Sequence, residues 1–393
     1  MKILMVTTRF PFPAHWGDNV VSFHRIRSLS QRHELTLVSL ANRMPTAQER
    51  AAIEQLCEVH VVVKSRWRSV VDVALWGLVA RQPVQLTYFH SSRLRHIIKR
   101  IHFTREFDLA HIFYLRALPF VEGLSIPRVL DVCDAQTLAV SHRRAHANFW
   151  LRPVLDLELR RVRVLEQVLG GPREHLIVVS EKDRACFRAG AASVIPLGVD
   201  LPTVSGISKS TTPLVVFSGN MSYYANVQAG LWFIEKCWLR IVREIPAARF
   251  RIIGRDPSPK LLKYHGDHGV EVRGQVGVMA DELASAWVAV APMTVSGAMH
   301  NKVLEAMAAS VPVVASRTAA EKFGASSRDG LFSCGDAEEF AAQVQELLLF
   351  QPERAAALGA AARSFVSGRF SWDAATRSIE AIYDSLVVDS LRP

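Results

Sequence analysis

Cysteine is scarce and scattered in this sequence. Its five copies, at 57, 133, 186, 237 and 334, include no Cys-x-x-Cys pair. That excludes a disulfide framework and a zinc knuckle, and it fits a reducing cytosol. Long apolar runs are also missing: no stretch approaches the roughly 18 uncharged apolar residues of a membrane-spanning helix. Internal repeats and low-complexity tracts are absent. Acidic residues are short, with 37 Asp+Glu against 47 Lys+Arg. The shortage is confined to one part of the chain. Residues 1–200 hold 28 Lys+Arg and 18 Asp+Glu, while residues 201–393 hold 19 of each. A basic part joined to a neutral part implies two tasks, and the basic one is expected to meet something anionic.

What is present suffices for two ordinary domains. The 393 residues are 49% apolar and 21% charged, which excludes global disorder. The opening Met1-Lys-Ile-Leu-Met-Val-Thr-Thr8 has one Lys and a short apolar run, so it reads as a first strand rather than a signal peptide. Short β-rich runs then alternate with helical patterns, the signature of βαβ units and parallel sheets. In the first part the expected strands are Ile3–Thr7, Glu34–Ser39, Glu58–Val63, Leu109–Phe113, Arg128–Val132 and Leu176–Ser180. Thr46-Ala-Gln-Glu49 is a capping box opening a helix, and Gln136–Leu169 reads as one long helix kinked at Pro153.

Near residue 200 the pattern restarts after a polar segment ending at Pro213. Strands are expected at Leu214–Ser218, Arg249–Ile253, Val270–Arg273, Val288–Pro292 and Val313–Ala315, with helices near 226–244, 279–286, 301–309 and 337–349. A closing helix, Trp372–Val387, has no strand after it. The reading is therefore α/β, with two Rossmann-like doubly wound parallel sheets facing a cleft. The domains are 1–200 and 201–370, with 371–393 returning to the first. In such sheets ligands sit at the C-terminal strand ends, so the loops after strands matter most.

The richest loop lies in Ser296–Ser316. A small-residue segment runs into a helix near Asn301, where backbone N–H groups lack intrahelical partners and the helix dipole favours an anion. Lys302 can add charge toward a diphosphate, and Glu305 suits the paired hydroxyls of a ribose. The two also fit a solvated i,i+3 ion pair. Gly219 ends the first strand of the second domain and allows close backbone approach to a ligand. Asn226 follows as either a ligand contact or an N-cap. Arg255 can reach phosphate or pair with Asp256, and the 273–276 loop can present backbone groups to a base.

In the first domain, Gly17 precedes a helix near Val20 and suits an anion or sugar hydroxyl. Asp134, at a strand end, can orient an acceptor hydroxyl, act as a base or cap the next helix. His111 sits within a strand, as a core residue or a catalyst. The basic surplus focuses on Lys64-Ser-Arg66-Trp67-Arg68, the run through Trp76, and the basic residues of 93–105. Tryptophan and aliphatics beside Lys and Arg suit an interfacial helix on anionic lipid, or an ordinary amphipathic helix with a solvated basic face. Nucleic acid is not expected, because no stacking aromatics interleave with the charges.

With these residues laid out, the chain resembles the GT-B glycosyltransferases, and within them the large retaining family four. The resemblance rests on Asn301-Lys302-Val-Leu-Glu305-Ala-Met-Ala-Ala-Ser-Val-Pro-Val-Val-Ala, supported by Gly219-Asn-Met-x-Tyr223-x-x-Asn226, Ile253-Gly254-x-x-Pro257 and Phe370-Ser-Trp372. It looks closest to a bacterial subgroup associated with exopolysaccharide and envelope assembly. The resemblance implies a nucleotide-diphosphate sugar as donor substrate on the C-terminal domain, with no separate cofactor, and a glycan or lipid-linked acceptor on the N-terminal one; charge stabilisation by Lys302 and the helix-start amides needs no metal. It implies that Glu305 binds the donor ribose, Lys302 and nearby amides the diphosphate, and Gly219 the phosphates, with Val276 near the base. Asn220, Asn226, Arg255, Met299, His300 and Asn301 complete the expected donor-binding set. Gly17, beside the reacting sugar, with Asp18, His111 and Asp134 make up the expected catalytic set. The expected setting is cytoplasmic, peripheral on the inner membrane face. Three positions depart from the family pattern: Gly297 stands where a first Glu is usual, Tyr223 and Asn226 replace a basic pair, and His111-x-Phe113 replaces His-x-His.

Overall fold

The structure, a computed structural model, describes residues 1–14, 17–77, 82–145, 147–204, 206–293 and 301–390. The chain divides into two compact units, Met1–Leu197 with Ala375–Pro393, and Gly198–Ala374.

The first unit is built on seven strands: β1 (Lys2–Thr7), β2 (Glu34–Ala41), β3 (Glu58–Val63), β4 (Leu109–Phe113), β5 (Arg128–Cys133), β6 (Glu174–Val178) and β7 (Ala192–Val194). Their order is β3-β2-β1-β4-β5-β6-β7, and every pair is parallel. Alternation along β1 shows why the sheet is covered on both faces. Ile3 and Met5 join one core cluster, while Leu4 and Val6 join another. The first of these clusters is completed from the far end of the chain. Ala375, Ile379, Ile382 and Tyr383 lie at helical spacing on the helix Trp372–Ser390 and pack with Ile3, Met5, Leu37 and Phe113.

The second unit carries β8 (Leu214–Ser218), β9 (Arg249–Ile253), β10 (Val270–Arg273), β11 (Val288–Ala291), β12 (Val313–Ser316) and β13 (Leu331–Cys334), in the order β10-β9-β8-β11-β12-β13, again all parallel. Both sheets reverse winding direction once, between β1 and β4 and between β8 and β11. Such a reversal opens a crevice at the carboxyl ends of the two central strands. The carboxyl ends of β8 and β11 therefore lie side by side at a place the topology creates.

Several expectations change. The run Gln136–Leu169 is two helices, Gln136–Ala145 and Arg152–Val168, with a 3₁₀ turn at Phe149–Leu151 between them. Pro153 sits in the first turn of the second helix, where its missing N–H costs nothing, so it starts a helix rather than kinking one. β6 begins two residues earlier than expected. β7, β13 and the helix Pro352–Arg369 were not expected from the pattern. The helix after β8 starts at Tyr224, not at Asn226, and one π turn at Ile234–Trp238 lies on its course to Glu244.

Candidate functional site

The site of the second unit grows from two glycines that only backbone permits. Gly254, after β9, has φ +154°, and a Cβ there would stand 1.6 Å from the carbonyl oxygen of Gly219. The loops after β8 and β9 thus pack backbone to backbone, joined by Met221 N–H donating to Arg255 O at 3.0 Å. Gly219 in turn has φ +151°, and a Cβ there would lie 2.9 Å from Asn226 Nδ2 and 3.0 Å from Lys302 Nζ. Both are too close for a side chain, so glycine at 219 is what lets this backbone pass beside Asn226 and Lys302.

Lys302 is the centre of this arrangement. It lies in the first turn of the helix Asn301–Ala308. Its ammonium donates to Asn226 Oδ1 at 2.7 Å and lies 4.3 Å from the ring centroid of buried Phe217. Asn226 is itself buried, and its Nδ2 donates to Asn220 O at 2.8 Å. Asn226 is therefore not the cap of its helix; Tyr223 holds that position. Desolvation pushes the Lys302 pKa down to about 8, against the opposing pull of Glu305. At neutral pH the ammonium stays mostly charged but under-solvated, which favours taking up an anion.

Glu305 keeps exposed surface, yet the surrounding protein desolvates its carboxyl enough to push its pKa above the usual range, with Lys302 opposing and Asp200 adding to the rise. Among the described residues it has neither a hydrogen bond nor an ion pair of 4.0 Å or less, so the solvated Lys302–Glu305 pair does not form. Asn301 is exposed at the helix start, Arg255 is half-buried, and Val276 packs partly against the core after β10. Met299 and His300 lie outside the described residues, as does Gly297. Phe217 and Met293, whose Sδ lies 3.7 Å from Lys302 Nζ, belong to the site without having been expected there. Gly254, directly after β9, lies in a loop the sequence already marks. Phe217 carried none, because an apolar strand residue reads as core. Among the described residues no three His, Cys, Asp or Glu gather closely enough to hold a metal ion.

In the first unit the expected catalytic residues separate. Gly17 and Asp18 are the first residues of the helix Gly17–Leu29. Asp134 is exposed just beyond β5, after a register shift between Asp131 and Cys133. Capping of the next helix falls to other side chains. Asp183 Oδ1 accepts from Ala135 N–H at 2.8 Å, and Glu166 Oε1 accepts from Gln136 N–H at 2.7 Å. His111 is a correction. It is fully buried on β4, with Nδ1 2.6 Å from the hydroxyl of Tyr383 and Nε2 3.7 Å from Asp131 Oδ2. Desolvation lowers its pKa and favours the neutral ring, which fits the core reading of the two rather than the catalytic one. Asp131 faces opposing influences: burial pushes its pKa up, the Arg25 guanidinium pulls it down, and the result lies below the usual carboxylate range.

A cavity of about 550 Å³ lies in the first unit rather than at Lys302. Thr8 and Arg9 follow β1 into it, Asn42 and Arg43 follow β2, and Tyr88 and Phe89 supply aromatic wall. Its cations are largely engaged: Arg43 with Glu49 at 2.5 Å, and Lys64 with Asp72 at 2.8 Å.

Comparison with known proteins places this geometry. A family model described as Glycosyl transferases group 1 matches residues 212–349. No curated protein matches the sequence. Among solved structures, sucrose-phosphate synthase from Thermosynechococcus elongatus is similar over 99% of this chain and 100% of its own, at 15% identity and a TM-score of 0.63. Anabaena HepE in complex with UDP is similar over 98% and 100%, at 16% identity and a TM-score of 0.65. WaaG, a glycosyltransferase involved in lipopolysaccharide biosynthesis, is similar over 97% and 99%, at 13% identity and a TM-score of 0.59. Residues 212–349, which include Gly219 and Lys302, thus match the group 1 glycosyl transferase model, and the likeness along the full length shows that the chain has the two-sheet GT-B fold.

Proposed function

We propose that the protein moves a sugar from a nucleoside-diphosphate donor to an acceptor hydroxyl, with the donor held at the ends of β8 and β11. The observation that carries this reading is the poorly solvated Lys302 ammonium in the first turn of its helix, held by Asn226 Oδ1 and the Phe217 ring beside Gly219, where the backbone carries no side chain to cover it. Lys302 and the amides opening the helix Asn301–Ala308 would stabilise charge developing on the departing diphosphate. Glu305, on the same helix and unpaired among the described residues, suits the ribose hydroxyls. Asn220 and Arg255 line the phosphate side, and Val276 suits the base. The family match over this domain and the UDP bound by Anabaena HepE support the donor class.

The finer reading is a hexosyl transfer, metal-independent and with retention, to a lipid-linked saccharide in bacterial polysaccharide or envelope assembly. The acceptor would bind the first unit, with Gly17, Asp18 and Asp134 as its expected contacts, and the basic Lys64–Arg105 segment would meet an anionic membrane on the cytoplasmic side. The family resemblance supports retention, and the charge surplus of residues 1–200 supports the membrane contact. Calorimetry of nucleoside-diphosphate sugars with Lys302→Ala and Glu305→Ala tests the donor site: weakened binding is expected in both, and unchanged affinity in both removes the assignment. Diphosphate release that needs no acceptor would instead indicate a hydrolase or epimerase. Activity persisting in EDTA is expected, and its loss would overturn metal independence.

A further inference from the structure

The first unit exposes an apolar stripe that its own fold does not use. The 3₁₀ turn Phe149–Leu151 presents Phe149 at 67% and Trp150 at 81% of full exposure. The helix Arg152–Val168 continues the stripe with Val154, Leu157, Val164 and Val168, all exposed. Their spacing of three, seven and four residues keeps them on one side of the helix, opposite buried Leu159, Val162 and Glu166. So much contiguous apolar surface marks an interaction site.

Charge selects the occupant. The acidic residues of this helix are all engaged within the unit. Asp156 pairs with Arg144, Glu158 accepts the Val84 N–H at 2.9 Å, and Glu166 caps the helix Gln136–Ala145 at Gln136. Of the basic residues, Arg160 and Arg163 are exposed on the same helix, while Arg152 is exposed with its Nε donating to Ala147 O at 3.3 Å. The helix is also tied to the neighbouring basic segment, because Arg161 Nη1 donates to Gly77 O at 2.7 Å. Gly77 closes the helix Arg66–Trp76, which exposes Trp67 and Val70 beside Arg66 and Arg68.

We propose that Phe149–Val168 is a second docking element for an anionic bilayer, with Trp150, Val154 and Leu157 entering the interface and Arg160 and Arg163 meeting lipid phosphates. The proposal rests on the reading of the first unit as membrane-facing and assigns the insertion to a segment outside Lys64–Arg105. Exposed aromatics and aliphatics flanked by arginine are what such a surface requires, and both contributions add.

Co-sedimentation of the full-length protein with vesicles tests it, using phosphatidylcholine alone or phosphatidylcholine with about one third phosphatidylglycerol. The native protein is expected to partition onto the anionic vesicles only. Combined Trp150→Ser, Val154→Ser and Leu157→Ser should weaken this by about tenfold or more. Arg160→Gln and Arg163→Gln should each weaken it about fivefold. Donor affinity by calorimetry should be unchanged in every variant, which separates docking from the donor site. Native binding that these variants leave intact, but Trp67→Ser and Arg68→Gln abolish, overturns the second element and keeps the membrane reading. No native binding to either vesicle overturns both. A native dimer in sedimentation velocity that the triple variant makes monomeric, with vesicle binding unchanged, assigns the stripe to a second copy of the chain and also overturns the proposal.

Discussion

The two units each bury charged groups near the central strands of a parallel sheet, and they treat them in opposite ways. In the first, Asp131 on β5 is enclosed with Arg25 (Nε 3.3 Å away) and with His111, whose other nitrogen meets Tyr383. All four side chains are essentially without solvent, and they join two neighbouring strands, the helix Gly17–Leu29 and the closing helix of the chain. In the second, Lys302 is only half-buried and leans on a neutral amide and an aromatic face, while the carboxylate one turn away stays apart from it. A fully enclosed cluster in which opposite charges meet holds strands and helices together, even with Arg25 Nη1 and Nη2 and His111 Nε2 short of hydrogen bonds, whereas a half-exposed ammonium beside a glycine leaves room for a ligand. The difference separates a structural cluster from a binding one where sequence alone shows only charged residues near strands.

The comparison breaks first at Asp131. Asp131→Ala strands the Arg25 charge in the core and should cost about 4 kcal/mol in denaturant unfolding, without weakening donor affinity in protein that stays folded. The converse is expected at Lys302. Lys302→Ala should reduce kcat/KM about 100-fold while leaving the denaturation midpoint unchanged or raised, since the ammonium is already poorly solvated. A large loss of stability there would place Lys302 with the structural groups.

Titration sharpens the contrast. Donor binding needs the charged ammonium, so affinity measured by calorimetry should fall as pH rises through about 8. Stability should respond at the other end of the scale. His111 is held neutral with a lowered pKa, so below the ordinary imidazole range the unfolded chain takes up a proton that the folded chain refuses. Folding free energy then declines as pH falls below about 6.5. The lowered pKa of Asp131 contributes a further loss at more acidic pH, as its carboxylate is protonated. The smallest effect is expected from Tyr383→Phe, which removes one hydrogen bond to His111 and should cost about 1 kcal/mol, with catalysis intact.

Local rules carried much of the architecture. The Thr46 capping box forms as read, with Thr46 N–H to Glu49 at 2.8 Å and Glu49 N–H to Thr46 at 3.2 Å. Gly219, Asn226 and Lys302 come together because each follows a strand or opens a helix at the one place where the second sheet reverses. What escaped was decided by partners far along the chain. His111 cannot be recognised as a core group without Tyr383, which lies 272 residues later. Asp134 has the spacing of a cap, but Glu166 and Asp183 reach the amides of Ala135 and Gln136 from two distant helices. β13 spans only Leu331–Cys334 and draws its strand character from pairing with β12.

The first unit's sheet is built from the opening half of the chain, yet one of its faces is covered by Ala375, Ile379, Ile382 and Tyr383. On the ribosome, that face must wait while the whole second unit is synthesised. The nascent first unit therefore carries an uncovered apolar surface through most of translation, and a stop codon introduced before position 375 would make the exposure permanent. Such a product should be a chaperone client and a target of proteolysis, even though its donor-binding residues are all present.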